Sequence, residues 1–150
     1  MIIREKYLEQ IRPFYDSDLV KIITGIRRCG KSVILKTIYD EINHITSNTI
    51  YLDFEDAADL KKTDSADLLL NYVEQNRKDG KCYIFLDEVQ NVKDWAIAVR
   101  TLRLHNNSVF ISGSNSNYYL KNLLPNYLGD IFPLGLDLSF IKKLLSIQIK

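Results

Sequence analysis

The feature that most constrains this chain is the stretch Gly25-Ile26-Arg27-Arg28-Cys29-Gly30-Lys31-Ser32, which has the form G-x-x-x-x-G-K-S. The apolar run Leu19-Val20-Lys21-Ile22-Ile23 precedes it and predicts a buried strand. Val33-Ile34-Leu35-Lys36-Thr37-Ile38-Tyr39 follows, with apolar residues at helical spacing. Strand, glycine-rich loop and helix form the context in which this pattern cradles phosphates. Glycines let successive backbone N–H groups converge on one centre. The helix N-terminus adds partial positive charge beside the bound anion. All eight residues, Gly25, Ile26, Arg27, Arg28, Cys29, Gly30, Lys31 and Ser32, are therefore candidates for holding a nucleotide's phosphates. Lys31 is expected to reach the β- and γ-phosphates, and the Ser32 hydroxyl to ligate Mg²⁺.

The rest of the chain restricts the partners. A length of 150 residues suits one domain with a sizeable core. A net charge of +1 leaves no global footprint for nucleic acid or an anionic membrane. No apolar run approaches the roughly 18 residues of a membrane span, and the charged N-terminus does not read as a signal peptide. The two cysteines, Cys29 and Cys82, make no disulfide framework and suit a reducing cytosol, so a cytoplasmic location is expected. Cys29 neighbours Arg28 and Lys31, which would activate a thiol, but a small loop residue is the preferred reading.

Residues 3–12 read as an amphipathic helix with Ile3, Tyr7, Leu8 and Ile11 inward, ended by Pro13. Asp16-Ser17-Asp18 is a polar turn. The helix after the glycine-rich loop runs to Asn43, and residues 48–54 form a second strand. Residues 55–62 read as an irregular acidic connection. Residues 65–78 form a helix with Ala66, Leu69, Leu70 and Val73 on one face, and Gly80 is its stop. The unbroken run Cys82-Tyr83-Ile84-Phe85-Leu86 predicts a strand covered on both faces. Asp94 is the expected N-cap of a helix burying Trp95, Ala98, Val99 and Leu102, and residues 109–111 are a fourth strand. This alternation predicts an α/β fold, a parallel sheet between two helical layers.

The third strand ends in Asp87-Glu88, the Walker B arrangement. Parallel strands deliver their C-terminal ends to one sheet edge, so Asp87 and Glu88 should arrive beside the glycine-rich loop. Asp87 is the expected second holder of Mg²⁺. Glu88 is the candidate base that orients or deprotonates the attacking water. A solvated strand end is the alternative. The fourth strand leads into Ser112-Gly113-Ser114-Asn115, where Ser114, then Asn115, are candidate γ-phosphate sensors or else helix caps. Gln90 is a further candidate to position water. Arg27 and Arg28 could pin phosphate or a partner, but a solvated loop face is preferred. Asp53, Glu55 and Asp56 could cluster around a metal, with capping of the strand-end turn preferred. His44 and His105 sit at helix ends and indicate no zinc site.

Tyr7-Leu8, the block from Lys21 to Ser32, Asp87-Glu88-Val89-Gln90 with Asp94-Trp95, and Ile111-Ser112-Gly113-Ser114 together resemble a prokaryotic group of AAA-superfamily (AAA_14-like) P-loop ATPases, over about residues 3–125. The resemblance implies ATP with Mg²⁺, a three-layer P-loop core with strand order 5-1-4-3-2, a cytoplasmic protein and possible oligomers. Members usually carry a further C-terminal domain, often winged-helix and nuclease-like. Residues 1–150 are thus expected to be a single ATPase domain, a truncated form of a longer architecture. The family pattern of Gly-Arg, a strand, then Pro-Leu-Ser-Phe and an acidic residue is replaced here by Gly129-Asp130, Ile131-Phe132-Pro133-Leu134 and Asp137-Leu138-Ser139-Phe140. The arginine and the glutamate are missing. An arginine at the transition state is worth about 10³ to 10⁵ in rate, so slow Mg²⁺-dependent ATP hydrolysis is expected. The alternative is a non-catalytic ATP-binding switch or interaction module. A small-molecule phosphotransferase is disfavoured, because no arginine-rich lid lies in residues 113–150. No protein partner is legible.

Overall fold

The structure, a computed structural model, describes residues 2–25, 30–113 and 146–149. Helix α1 (Ile2–Ile11) ends at a 3₁₀ turn, Arg12–Phe14, where Pro13 can no longer donate to a helical hydrogen bond. Strand β1 (Lys21–Gly25) leads to helix α2 (Lys31–Asn43), followed by β2 (Thr49–Asp53) and helices α3 (Ala57–Lys62) and α4 (Ala66–Asn76). Strand β3 (Cys82–Asp87), a 3₁₀ turn at Val89–Asn91, α5 (Trp95–Leu104), β4 (Asn107–Gly113) and β5 (Ser146–Ile149) complete the described chain. The five strands are parallel in the order β2-β3-β4-β1-β5. Read from the other edge this is the expected 5-1-4-3-2.

Strand alternation explains the three layers. Ile22, Ile84, Leu86, Val109 and Ile111 bury against α4 and α5 through Leu69, Val73, Ala98, Val99 and Leu102. Their neighbours Ile23, Phe85 and Phe110 point the other way, onto Leu8, Ile11, Leu35 and Ile38 of α1 and α2. Phe85 and Phe110 stack at 4.7 Å across the inner strands. Arg12 and Tyr15 both bond Glu41, tying the segment after α1 to α2.

Four local expectations are corrected. Residues 55–62 are not irregular throughout. Asp56 caps α3 by accepting from Ala58 N at 2.8 Å, Asp59 lies in its first turn and Lys61 and Lys62 in its last, all favourable to the helix dipole. This short helix buries no residue, so it leaves no apolar stripe to read. Asp94 occupies the N-cap position but in a left-handed conformation (φ 59°), and its side chain caps nothing. Its carbonyl instead receives Ile97 N and Ala98 N. Strand β4 begins at Asn107, not Val109, because polar Asn107 and Ser108 are buried within the sheet. The Ser65 hydroxyl caps α4 by accepting from Leu68 N, and α4 stops at Asn76, short of Lys78. Gly80, at φ 87°, then turns the chain into β3.

Candidate functional site

Parallel pairing brings the ends of β1, β3 and β4 to one sheet edge, with Leu86 beside Ile111 and Ser112 beside Ile23. Gly25 ends β1, and Gly30 sits at the N-cap of α2 with φ 100°. A Cβ at Gly30 would meet nothing within 4 Å, so the requirement for glycine there is the backbone angle, not space. Ile26, Arg27, Arg28 and Cys29, and likewise Ser114 and Asn115, lie outside the described residues. Lys31 opens α2 and is buried, while Ser32 is exposed beside it.

Six polar side chains meet at this edge. Lys31 Nζ lies 3.5 Å from Glu88 Oε1, and both residues are buried. Glu88 N donates to Ser112 Oγ at 3.0 Å, and the same hydroxyl donates to Asp87 Oδ1. Tyr51 OH donates to the other carboxylate oxygen, Asp87 Oδ2, at 3.3 Å. Burial first, then the charge of Asp87, holds the Tyr51 hydroxyl well above its usual range, so it stays a donor. Gln90 Nε2 donates to Glu88 Oε2. Glu88 itself adopts φ 57°, a left-handed backbone that costs a non-glycine residue about 1 kcal/mol or more, at the point where the strand turns into the 3₁₀ segment.

Ser32 and Asp87 line one cavity of about 460 Å³, with Lys36, Asp40, Tyr51 and Asp53. Serine and carboxylate oxygens are the donor types Mg²⁺ takes, with water completing its shell, so this pair fits the expected cation. Lys36 is drawn over the rings of Tyr39 and Tyr51, at 4.4 and 4.8 Å from their centroids. Burial, opposed by a hydrogen bond from Glu55 N and reinforced by Asp87, pushes the Asp53 carboxyl up.

Asp53 and Asp56 do cap the turn after β2, through Glu55 N and Ala58 N. No metal-holding cluster of three or more His, Cys, Asp or Glu exists among the described residues. His44 and His105 are exposed at the ends of α2 and α5, as their positions predict. Cys82 is buried, and burial pushes its thiol up to about 11. No helix among the described residues is long and apolar enough to cross a membrane. Sequence reasoning missed Ser112 and Tyr51. The only trace of Ser112 is a hydroxyl interrupting an apolar strand next to Gly113, and Tyr51 reads as an ordinary strand aromatic.

Comparison with known proteins places this geometry in a family. A model for an AAA domain (AAA_14) matches residues 17–135. An uncharacterised protein of Haemophilus influenzae is 37% identical over 122 residues, covering 78% of this chain and 30% of the relative. An uncharacterised protein of Methanocaldococcus jannaschii, MJ1544, is 32% identical over 129 residues, covering 82% of this chain and 28% of its own. The chain thus spans less than a third of the length of these relatives. Among solved structures, Caenorhabditis elegans PCH-2 shares the fold at a TM-score of 0.50 with 9% identity, covering 99% of this chain and 40% of that one. The protein belongs to the AAA family and carries the core of an AAA-type P-loop ATPase, a nucleotide-binding domain.

Proposed function

We propose that this domain binds ATP with Mg²⁺ and hydrolyses it slowly. The observation that carries the reading is the meeting of Lys31 and Glu88 at 3.5 Å, beside an Asp87 held on both oxygens. In this reading Lys31 and the backbone of the glycine-rich loop bind the phosphates. Ser32 and Asp87 hold Mg²⁺, which when bound neutralises phosphate charge. Glu88 orients the attacking water and accepts its proton. Ser112 and Tyr51 fix the Asp87 carboxylate, and Ser114 remains the proposed sensor. The test is phosphate release by purified protein with MgATP, against Glu88→Gln. Release above that control supports hydrolysis. Equal background rates in two proteins that both bind ATP would leave a non-catalytic nucleotide switch. Asp130, standing where the family pattern has arginine, is the observation in favour of that second reading.

A further inference from the structure

Both carboxylate oxygens of Glu88 are engaged, by different residues. Oε1 faces Lys31 Nζ at 3.5 Å, and Oε2 accepts from Gln90 Nε2. A carboxylate only accepts, so the Gln90 group facing it is the amide N–H. The contact between residues two apart depends on the 3₁₀ turn, which folds Gln90 back over Glu88. That turn is itself anchored: Asn91 N bonds Glu88 O at 3.3 Å, Val92 N bonds Val89 O at 3.0 Å, and Asn91 Nδ2 reaches Phe54 O, just past β2, at 3.1 Å. Glu88 has a left-handed backbone, with Gln90 on one of its carboxylate oxygens and Lys31 facing the other.

We propose that Gln90 is a positioning residue: its amide grips one oxygen of Glu88 so that the other faces Lys31 and the phosphate chain Lys31 holds. Two consequences follow. Glu88 and phosphate compete for one ammonium, and a Glu88 fixed by Gln90 is the stronger competitor. Once phosphate takes Lys31, Oε1 is released already oriented, while Oε2 stays gripped. Gln90 therefore lowers phosphate affinity slightly and raises the chemical rate. The rate half of this inference rests on the hydrolytic reading above; the affinity half does not.

Gln90→Met tests it. Gln90 is half-buried and lines a cavity of about 570 Å³ between α3 and the 3₁₀ turn, so a side chain of similar length is accommodated without disturbing the core. Affinity for a non-hydrolysable MgATP analogue should tighten by about 3-fold, the scale of one modest hydrogen bond. Turnover at saturating ATP should fall by about 10-fold, as expected of a misplaced catalytic group. A general structural role would weaken both together. In an enzyme that turns over, loss of turnover with tighter analogue binding supports the proposal, and unchanged turnover, or analogue affinity that is unchanged or weaker, overturns it. If wild type releases no phosphate, the hydrolytic reading has failed. Analogue affinity alone then decides: tighter binding supports the grip of Gln90 on Glu88, and unchanged or weaker binding overturns it.

Discussion

The two edges of the sheet both bury polar side chains, and they use them differently. At the N-terminal edge those side chains largely serve backbone. Asn48, 6% exposed, donates to the carbonyls of Lys78 and Lys81 and accepts from Lys78 N. Lys21, 2% exposed, donates to Ser17 O and Ser108 Oγ and lies 4.6 Å from the Phe110 ring centroid. Lys81 and Tyr83 both bond Asp16. These contacts staple loops to strand ends. At the C-terminal edge buried polar side chains instead pair with one another, Lys31 with Glu88 and Ser112 with Asp87, the two pairs joined by Glu88 N donating to Ser112 Oγ beside a cavity. A buried charge therefore does not by itself mark a site. The nature of its partner does, because a group satisfied by backbone has no reason to let go, whereas a charge held by another charge can exchange it for a ligand.

Substitutions at the two edges should accordingly separate binding from stability. The largest effect is expected at Lys31. Lys31→Ala should abolish ATP binding measured by calorimetry, a loss of at least about 100-fold, because it removes the mobile charge matched to the phosphates. Undiminished affinity would move the site away from this edge. Next comes Glu88→Gln, which keeps shape but loses the base. Phosphate release should fall by about 100-fold while affinity for a non-hydrolysable analogue does not fall.

On the opposite edge, Asn48→Ala should cost about 2 kcal/mol in chemical denaturation, since it removes several part-buried hydrogen bonds to the backbone of Lys78 and Lys81 at once. The same variant should bind nucleotide as wild type does; a large affinity loss would erase the contrast between the edges. The smallest effect is the pH dependence of Lys21. Burial, helped by Lys81 and opposed by Asp18 and Asp16, lowers its pKa from 10.5 to about 7. Between about pH 7 and 10.5 the unfolded chain holds the proton and the folded chain does not, so this group makes stability rise with pH. Below pH 7 both states are protonated and its burial penalty is fully present. Denaturation of wild type and Lys21→Met at pH 7 and 8 should show wild type gaining on the variant, by at most about 1.4 kcal/mol. Parallel pH profiles would assign the charge at Lys21 no role.

The candidate site was legible in the sequence wherever one backbone requirement forces one residue type. Gly30 needs a positive φ, Lys31 and Ser32 follow it into a helix, and Asp87-Glu88 closes an apolar strand. The layers were legible for a similar reason: a strand buried on both faces reads as an unbroken apolar run, and α5 shows its buried face at helical spacing. α3 was hidden because a helix held by its cap and terminal charges shows no apolar period. The start of β4 was hidden because Asn107 and Ser108 resemble a turn until Leu102 O and Lys21 appear as their partners.

The sequence by itself determined the strand before and the helix after the glycine-rich pattern, the family, and the charged residues of the candidate site, since each follows from local backbone chemistry or periodicity. Tertiary structure alone decided what those charges touch. Ser112 meets Asp87 only because β4 lies beside β3, and Tyr51 reaches it only because β2 lies on the other side. The buried Lys21 likewise depends on β1 pairing with β4, which brings Ser108 to its ammonium. Such contacts join residues far apart in the chain, and their geometry arises from sheet register, which no short stretch of sequence encodes.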